Sequence, residues 1–191
     1  MKKYLCLVFV LMLTLSAYAQ ESWDAETCHY TNHTWHFHWN LNRELKWEKE
    51  QADEPHTVFR VRSPYDGLIA FVNIIPFASE EQKQFDFWQN FDTYKGVLEE
   101  SWRRVEQRTG GTIAPIRIEK CRFFGENAIK ILAKTDLHDD VVNETSYGYT
   151  YTFPKDGATW SVSVKTSPEV WELAGEDGIK ELFIGLGPNA K

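Results

Sequence analysis

Hydrophobic and polar residues alternate from His33 onward. Trp35, Phe37, Trp39 and Leu41 share one side, while Thr34, His36, His38 and Asn40 share the other. A period of two with aromatic residues predicts a half-buried strand. Asn40 to Arg43 offers a turn, and Leu45 and Trp47 carry the alternation into a second short strand. Asp53-Glu54-Pro55 breaks it. Val58 to Arg62 and Leu68 to Ile75 then form two strands joined around Pro64-Tyr65-Asp66-Gly67. Proline presets φ for that turn and glycine takes its positive-φ position.

The period then changes to 3.6. Ser79-Glu80-Glu81-Gln82 is a helix start with a serine cap. Phe87, Phe91, Tyr94, Leu98, Trp102 and Val105 fall within one narrow arc, with Trp88 at its margin and Phe85 off it. Gly110-Gly111 ends the helix, and Arg103, Arg104 and Arg108 suit the negative end of its dipole. Strands return with Ile116 and Ile118 leading to Cys121 and Phe123, then Ile129, Ile131 and Ala133. Tyr147, Tyr149, Tyr151 and Phe153 alternate into the turn Pro154-Lys155-Asp156-Gly157; Trp160, Val162 and Val164 alternate out. Ser167-Pro168 caps a final helix whose apolar face is Ile179, Leu182, Phe183 and Leu186, with Gly175 and Gly178 placed to split it. A shift of 90 residues superposes Pro64-x-Asp66-Gly67 and Val72 on Pro154-x-Asp156-Gly157 and Val162. Turn chemistry alone would also put these residues in both hairpins.

The N-terminus reads as a leader. Met1-Lys2-Lys3 is followed by the apolar run Leu5–Leu15 and by Ser16-Ala17-Tyr18-Ala19, a pattern that a signal peptidase cleaves after Ala19. The run is short for a membrane span and lacks a stop-transfer flank, so no transmembrane segment is expected after cleavage. The resulting division is a signal peptide over 1–19, a His/Trp-rich strand segment over 20–52, and a single domain over 53–191. Secretion or a periplasmic location follows, and the Lys-Lys leader has a bacterial look. Asn32-His33-Thr34 and Asn143-Glu144-Thr145 are glycosylation sequons that matter only in a eukaryotic host.

Losing two lysines with the leader takes the formal charge of the 191-residue chain from −7 to −9. That charge argues against nucleic acid and anionic membrane surfaces as partners. Of three cysteines, Cys28 and Cys121 remain. In an oxidising compartment they can form a bridge stabilising the fold by roughly 4–5 kcal/mol, or stay as separate thiols.

Residues from about Phe59 to Leu186 resemble the PsbP-like α/β/α sandwiches, which include photosystem extrinsic subunits and exported bacterial relatives. The resemblance lies in the helix ending at Thr109-Gly110-Gly111, the hairpin Tyr149–Gly157, the run Trp160–Val164 and the closing amphipathic helix. It implies an α+β fold, an antiparallel sheet flanked by helices in the rough order ββββ-α-ββββ-α. It also implies a binding or accessory role more than catalysis, and it carries over no functional residue.

One group of residues offers metal chemistry. His36 and His38, two apart on a strand, would present two imidazoles to one transition metal, with His29, His33 or an acid completing the shell. His33 needs a loop conformation to join them. An exposed polar face opposite a Trp/Phe core face explains the same pattern without a ligand. His138-Asp139-Asp140 is a weaker cation site, better read as a turn. Cys121 has no activating neighbour in sequence. No nucleophile elbow, paired-histidine zinc motif or phosphate loop is present. An aromatic-lined cleft is an open alternative for the eight tryptophans, but most fall on core faces. The sequence therefore supports an exported binding or accessory domain with a protein or small-molecule partner in the cell envelope, as a monomer or small oligomer. Its alternatives are a metal-binding protein using the histidine strand, and a hydrolase whose site is assembled from distant residues.

Overall fold

The computed structural model describes residues 21–52, 54–65, 67–83, 86–138 and 143–189. The expected leader, Asp66 of the first hairpin turn, Phe85 and Asp139-Asp140 lie outside them. The period-2 segments form β5 (Thr57–Arg62), β6 (Ile69–Pro76), β9 (Asn143–Lys155) and β10 (Ala158–Thr166). The second hairpin closes through Asp156 and Gly157, both at positive φ. β4 (Glu48–Lys49), β7 (Thr112–Phe123) and β8 (Glu126–His138) complete a seven-stranded antiparallel sheet in the order β4-β5-β6-β10-β9-β8-β7. The two hairpins meet at its centre, where Val72 pairs directly with Val162. These are the two valines that the 90-residue shift superposes.

Helical periodicity is expressed in pieces. Ser79 caps α1 (Glu80–Lys83): Gln82 N donates to Ser79 Oγ at 3.3 Å, and Ala78 N to Gln82 Oε1 at 2.6 Å. The chain then turns through Asp86, whose carboxylate accepts from Trp88 N and Gln89 N. α2 (Phe91–Thr109) follows and ends at Gly110 in the left-handed region, φ 69°. Its arc of Phe91, Tyr94, Leu98 and Trp102 packs with Phe87 and Ile118 on Ile129 and Ile131 of β8. α3 (Pro168–Glu181) is capped by Ser167 and broken at Gly175, φ 64° and ψ −177°.

The expected α/β/α sandwich is not formed. Among the described residues the chain is mostly β, with eleven strands in two antiparallel sheets and only three helices. The second sheet runs β1 (Glu21–Asp24), β2 (His29–Asn32), β3 (Phe37–Asn40), β11 (Leu186–Pro188). Where the sandwich required a helical layer, this sheet sets Tyr30, Phe37 and Trp39 against Phe59, Val72, Phe153 and Trp160 of the large sheet; Ile179 of α3, and Leu182 and Phe183 just beyond it, join the same core. The physical reason is local. β1, β2 and β11 are too short to declare a period alone, and Leu186, expected on the final helix, instead pairs with Trp39. Gly185 permits that crossing, because a Cβ there would lie 1.9 Å from the Asn40 carbonyl oxygen.

β8 separates the two cores. Ala128 to Ala133 are all buried, so its side chains enter packed layers on both sides.

Candidate functional site

The histidines do not assemble as the alternation implied. His36 sits in the β2–β3 turn at φ 54°, so β3 starts at Phe37 and the shared face of His36 and His38 is lost. His33 lies exposed in the same turn. His38 instead stacks on His29, ring centroids 5.8 Å apart. Both ring nitrogens of His29 have partners: Nδ1 meets Asn40 Oδ1, and Nε2 lies 2.9 Å from Thr31 Oγ1. Among the described residues, no three His, Cys, Asp or Glu side chains gather in a way that would hold a metal ion. His138, at the end of β8, lies 3.0 Å from Asp136 and 2.5 Å from Asn143 Oδ1.

Cys28 and Cys121 are free thiols in the structure. Cys28 is buried in the β1–β2 turn and points at the Ala25 carbonyl, 3.7 Å away. Burial pushes the Cys121 thiol up to about 11, which Lys130 opposes and Glu119 reinforces. Cys121 should therefore alkylate roughly a hundredfold more slowly than an unperturbed thiol at neutral pH. Timed mass spectrometry with iodoacetamide, with and without denaturant, checks this. Native-state labelling at the free-thiol rate would contradict it.

Lys130 is the charged residue buried deepest among those described, 8% exposed, on the α3 side of β8. It pairs with Glu119 on β7 and lies 3.5 Å from Glu176 on α3. Glu176 also accepts two 2.8 Å hydrogen bonds from Arg117 Nη1 and lies 3.4 Å from Lys180. Burial alone would raise the Glu176 carboxyl, but Lys180, Arg117 and Lys130 outweigh it and hold it below its ordinary value. Tyr149 stands beside this group with its hydroxyl raised by burial and by Tyr151. The cluster ties α3 to the sheet.

Several grooves open at the surface among the described residues. One, about 580 Å³, lies between α2 and the ends of β6 and β10, lined by Ile75, Phe77, Phe87, Tyr94 and Val97. A second, about 550 Å³, runs beside α3 under Leu173 and Ile184, which are 91% and 79% exposed. Both are largely apolar.

A third differs in kind. It is about 510 Å³ and lies between the small sheet and β4–β5, with Glu21, Asn32, Thr34 and Trp35 on one wall and Lys49, Glu50, Gln51, Thr57, Phe59 and Arg60 on the other. Its polar groups are held in place. Lys49 Nζ donates to Glu21 Oε1 at 2.7 Å, and the Tyr30 hydroxyl donates to Glu21 Oε2 at 2.8 Å. Asn32 donates to that hydroxyl at 2.9 Å and accepts from Trp35 N at 2.8 Å. Arg60 and Arg62 each reach Glu50 through Nε at 2.6 Å. Burial pushes the Glu50 carboxyl up, but the two arginines prevail and lower it. Trp35 is half-buried and meets Trp160 edge-on, centroids 6.0 Å apart and planes at 86°. The lining thus mixes fixed polar groups with Trp35, Val58 and Phe59.

Alternation assigned Trp35 to the core face with Phe37 and Trp39. Trp35 stands in the β2–β3 turn ahead of left-handed His36, where it packs on the core through Trp160 and also lines the groove. Glu21, Lys49 and Glu50 carried no local signal, because fold contacts alone bring them together.

No protein-family model matches the chain. No curated protein matches it either. The solution structure of cyanobacterial PsbP (CyanoP) from Synechocystis sp. PCC 6803 superposes with a TM-score of 0.55 at 12% identity, covering 86% of this chain and 94% of that one. The chain has a PsbP-like fold. Two crystal structures are more distant. One is a Pseudomonas aeruginosa protein of unknown function, with a TM-score of 0.42, 11% identity and coverage of 80% and 85%. The other is a Bacteroides thetaiotaomicron protein, with a TM-score of 0.47, 7% identity and coverage of 90% and 49%. The resemblance read from Tyr149–Gly157 and Trp160–Val164 is thus supported at the level of fold, and the PsbP-like fold brings no site residue with it. Among the described residues, no helix is long and apolar enough to cross a membrane.

Proposed function

We propose that this chain is an exported binding or accessory domain of the cell envelope that holds its ligand in the groove between the two sheets. The observation that carries the reading is the set of bonded polar side chains that lines this groove together with Trp35. A site whose donors and acceptors are fixed before binding loses little ordering entropy on binding. The PsbP-like fold supports an accessory role by analogy of fold. Export rests on the Lys2–Ala19 leader pattern.

Protein recovered from the envelope of its own host and examined by native mass spectrometry should carry a bound component that Trp35→Ala loses. Recovery of wild type with no bound component, or of both forms with the same one, would overturn the reading.

A further inference from the structure

We infer that the groove between the sheets takes a neutral, hydroxyl-rich ring ligand, the chemistry of a pyranose in a carbohydrate chain. This rests on the groove being the ligand site. Its ionised lining residues, Glu21, Lys49, Glu50 and Arg60, sum to zero charge, and each acid already has a cation on it: Lys49 on Glu21 at 2.7 Å, Arg60 on Glu50 at 2.6 Å. A charged ligand would have to compete with Lys49 for Glu21, or with Arg60 for Glu50, which Arg62 also holds, and would weaken a pair already made. An uncharged ligand displaces neither.

The paired carboxylates still have work to offer. A carboxylate has about four lone-pair sites, so Glu21 and Glu50 retain acceptor capacity for ligand hydroxyls. The Arg60 guanidinium uses Nε on Glu50 and has further N–H donors in its fork. Gln51 and Thr34 each donate and accept. A hydroxyl also does both, so a polyol matches this mixed lining better than a ligand rich only in acceptors or only in donors. Trp35 supplies the complementary apolar surface for the C–H face of a sugar ring. Its edge-on contact with Trp160 keeps the indole in place. A groove of about 510 Å³ falls within the range of small-molecule sites.

The test is titration calorimetry of the 20–191 protein with neutral cello-, malto-, xylo- and chito-hexaoses, and with a hexauronate as the charged counterpart. The expected result is saturable binding of at least one neutral series, weakened about tenfold or more by Trp35→Ala. Because Trp35 also packs on Trp160, Gln51→Ala at an exposed position serves as the second variant and should weaken the same binding. Absence of binding by every neutral series at millimolar concentration overturns the inference. So does binding of the hexauronate alone, or neutral binding that both variants leave unchanged. An envelope component lost in Trp35→Ala, together with no sugar binding, would sink this inference and leave the proposed site standing.

Discussion

Replacing Trp39 with alanine should lower the unfolding free energy by about 3–5 kcal/mol, the usual cost of emptying a large aromatic site. Trp39 is fully buried at the middle of β3 and packs against Phe59 of the large sheet and Phe183 beyond α3, with centroids 6.1 Å away in both cases. Its indole N–H donates to the Leu182 carbonyl at 2.8 Å. One side chain therefore joins the small sheet, the large sheet and the C-terminal segment. Urea unfolding followed by far-UV circular dichroism measures the effect. Trp39→Phe should retain most of the packing and lose about 1 kcal/mol for the unanswered Leu182 carbonyl, plus a smaller cavity cost. A shift of less than about 1 kcal/mol for the alanine variant would mean that the second sheet does not stabilise the fold.

Removing the Glu176 carboxylate should cost about 2–3 kcal/mol at neutral pH, below the full cost of orphaning a buried charge. The discount has two sources: the Glu176 side chain keeps 19% exposure, and Lys130 keeps Glu119 as a partner. The pH dependence has a definite sign. Glu176 is held below its ordinary value in the fold, so its contribution is fully present above the ordinary glutamate range and is lost as pH falls through the lowered value. Arg117 from β7, Lys130 from β8 and Lys180 from α3 itself are the cations facing it; Glu119 is the opposing acid that shares Lys130. Glu176→Gln should remove this part of the acid sensitivity. Urea midpoints for wild type and Glu176→Gln should differ clearly at neutral pH and converge on acidification. A constant difference across that range would show that the Glu176 cluster does not contribute this pH-dependent stability.

Legibility in the sequence followed periodicity. The Pro-Lys-Asp-Gly hairpin, the helix ending at Gly110 and the helix cap at Ser167 were each readable because a few neighbouring residues decide them. The small sheet was only half readable. Phe37 and Trp39 announced β3, but β1 and β2 form a hairpin of four-residue strands and β11 is held by pairing with distant β3, so none of the three carries a pattern of its own. A left-handed backbone at His36 puts it and Trp35 in the β2–β3 turn, ahead of the strand that the alternation extended through them. Lys130 was hidden for a related reason. Its run of apolar neighbours reads as one core face, and only the arrival of Glu119 and Glu176 from other elements makes a buried cation tolerable there.

The sequence by itself determined the two central hairpins, the amphipathic arc of α2, the acidic balance and the leader pattern. All of these depend on residues close together along the chain. Tertiary structure alone decided that a second sheet, and not a helix layer, closes the core, and that Glu21, Trp35, Lys49 and Glu50 share a groove. Those outcomes depend on pairing between segments far apart in sequence. Hydrogen-bond register and desolvation choose among such pairings, and neither is written in any local window.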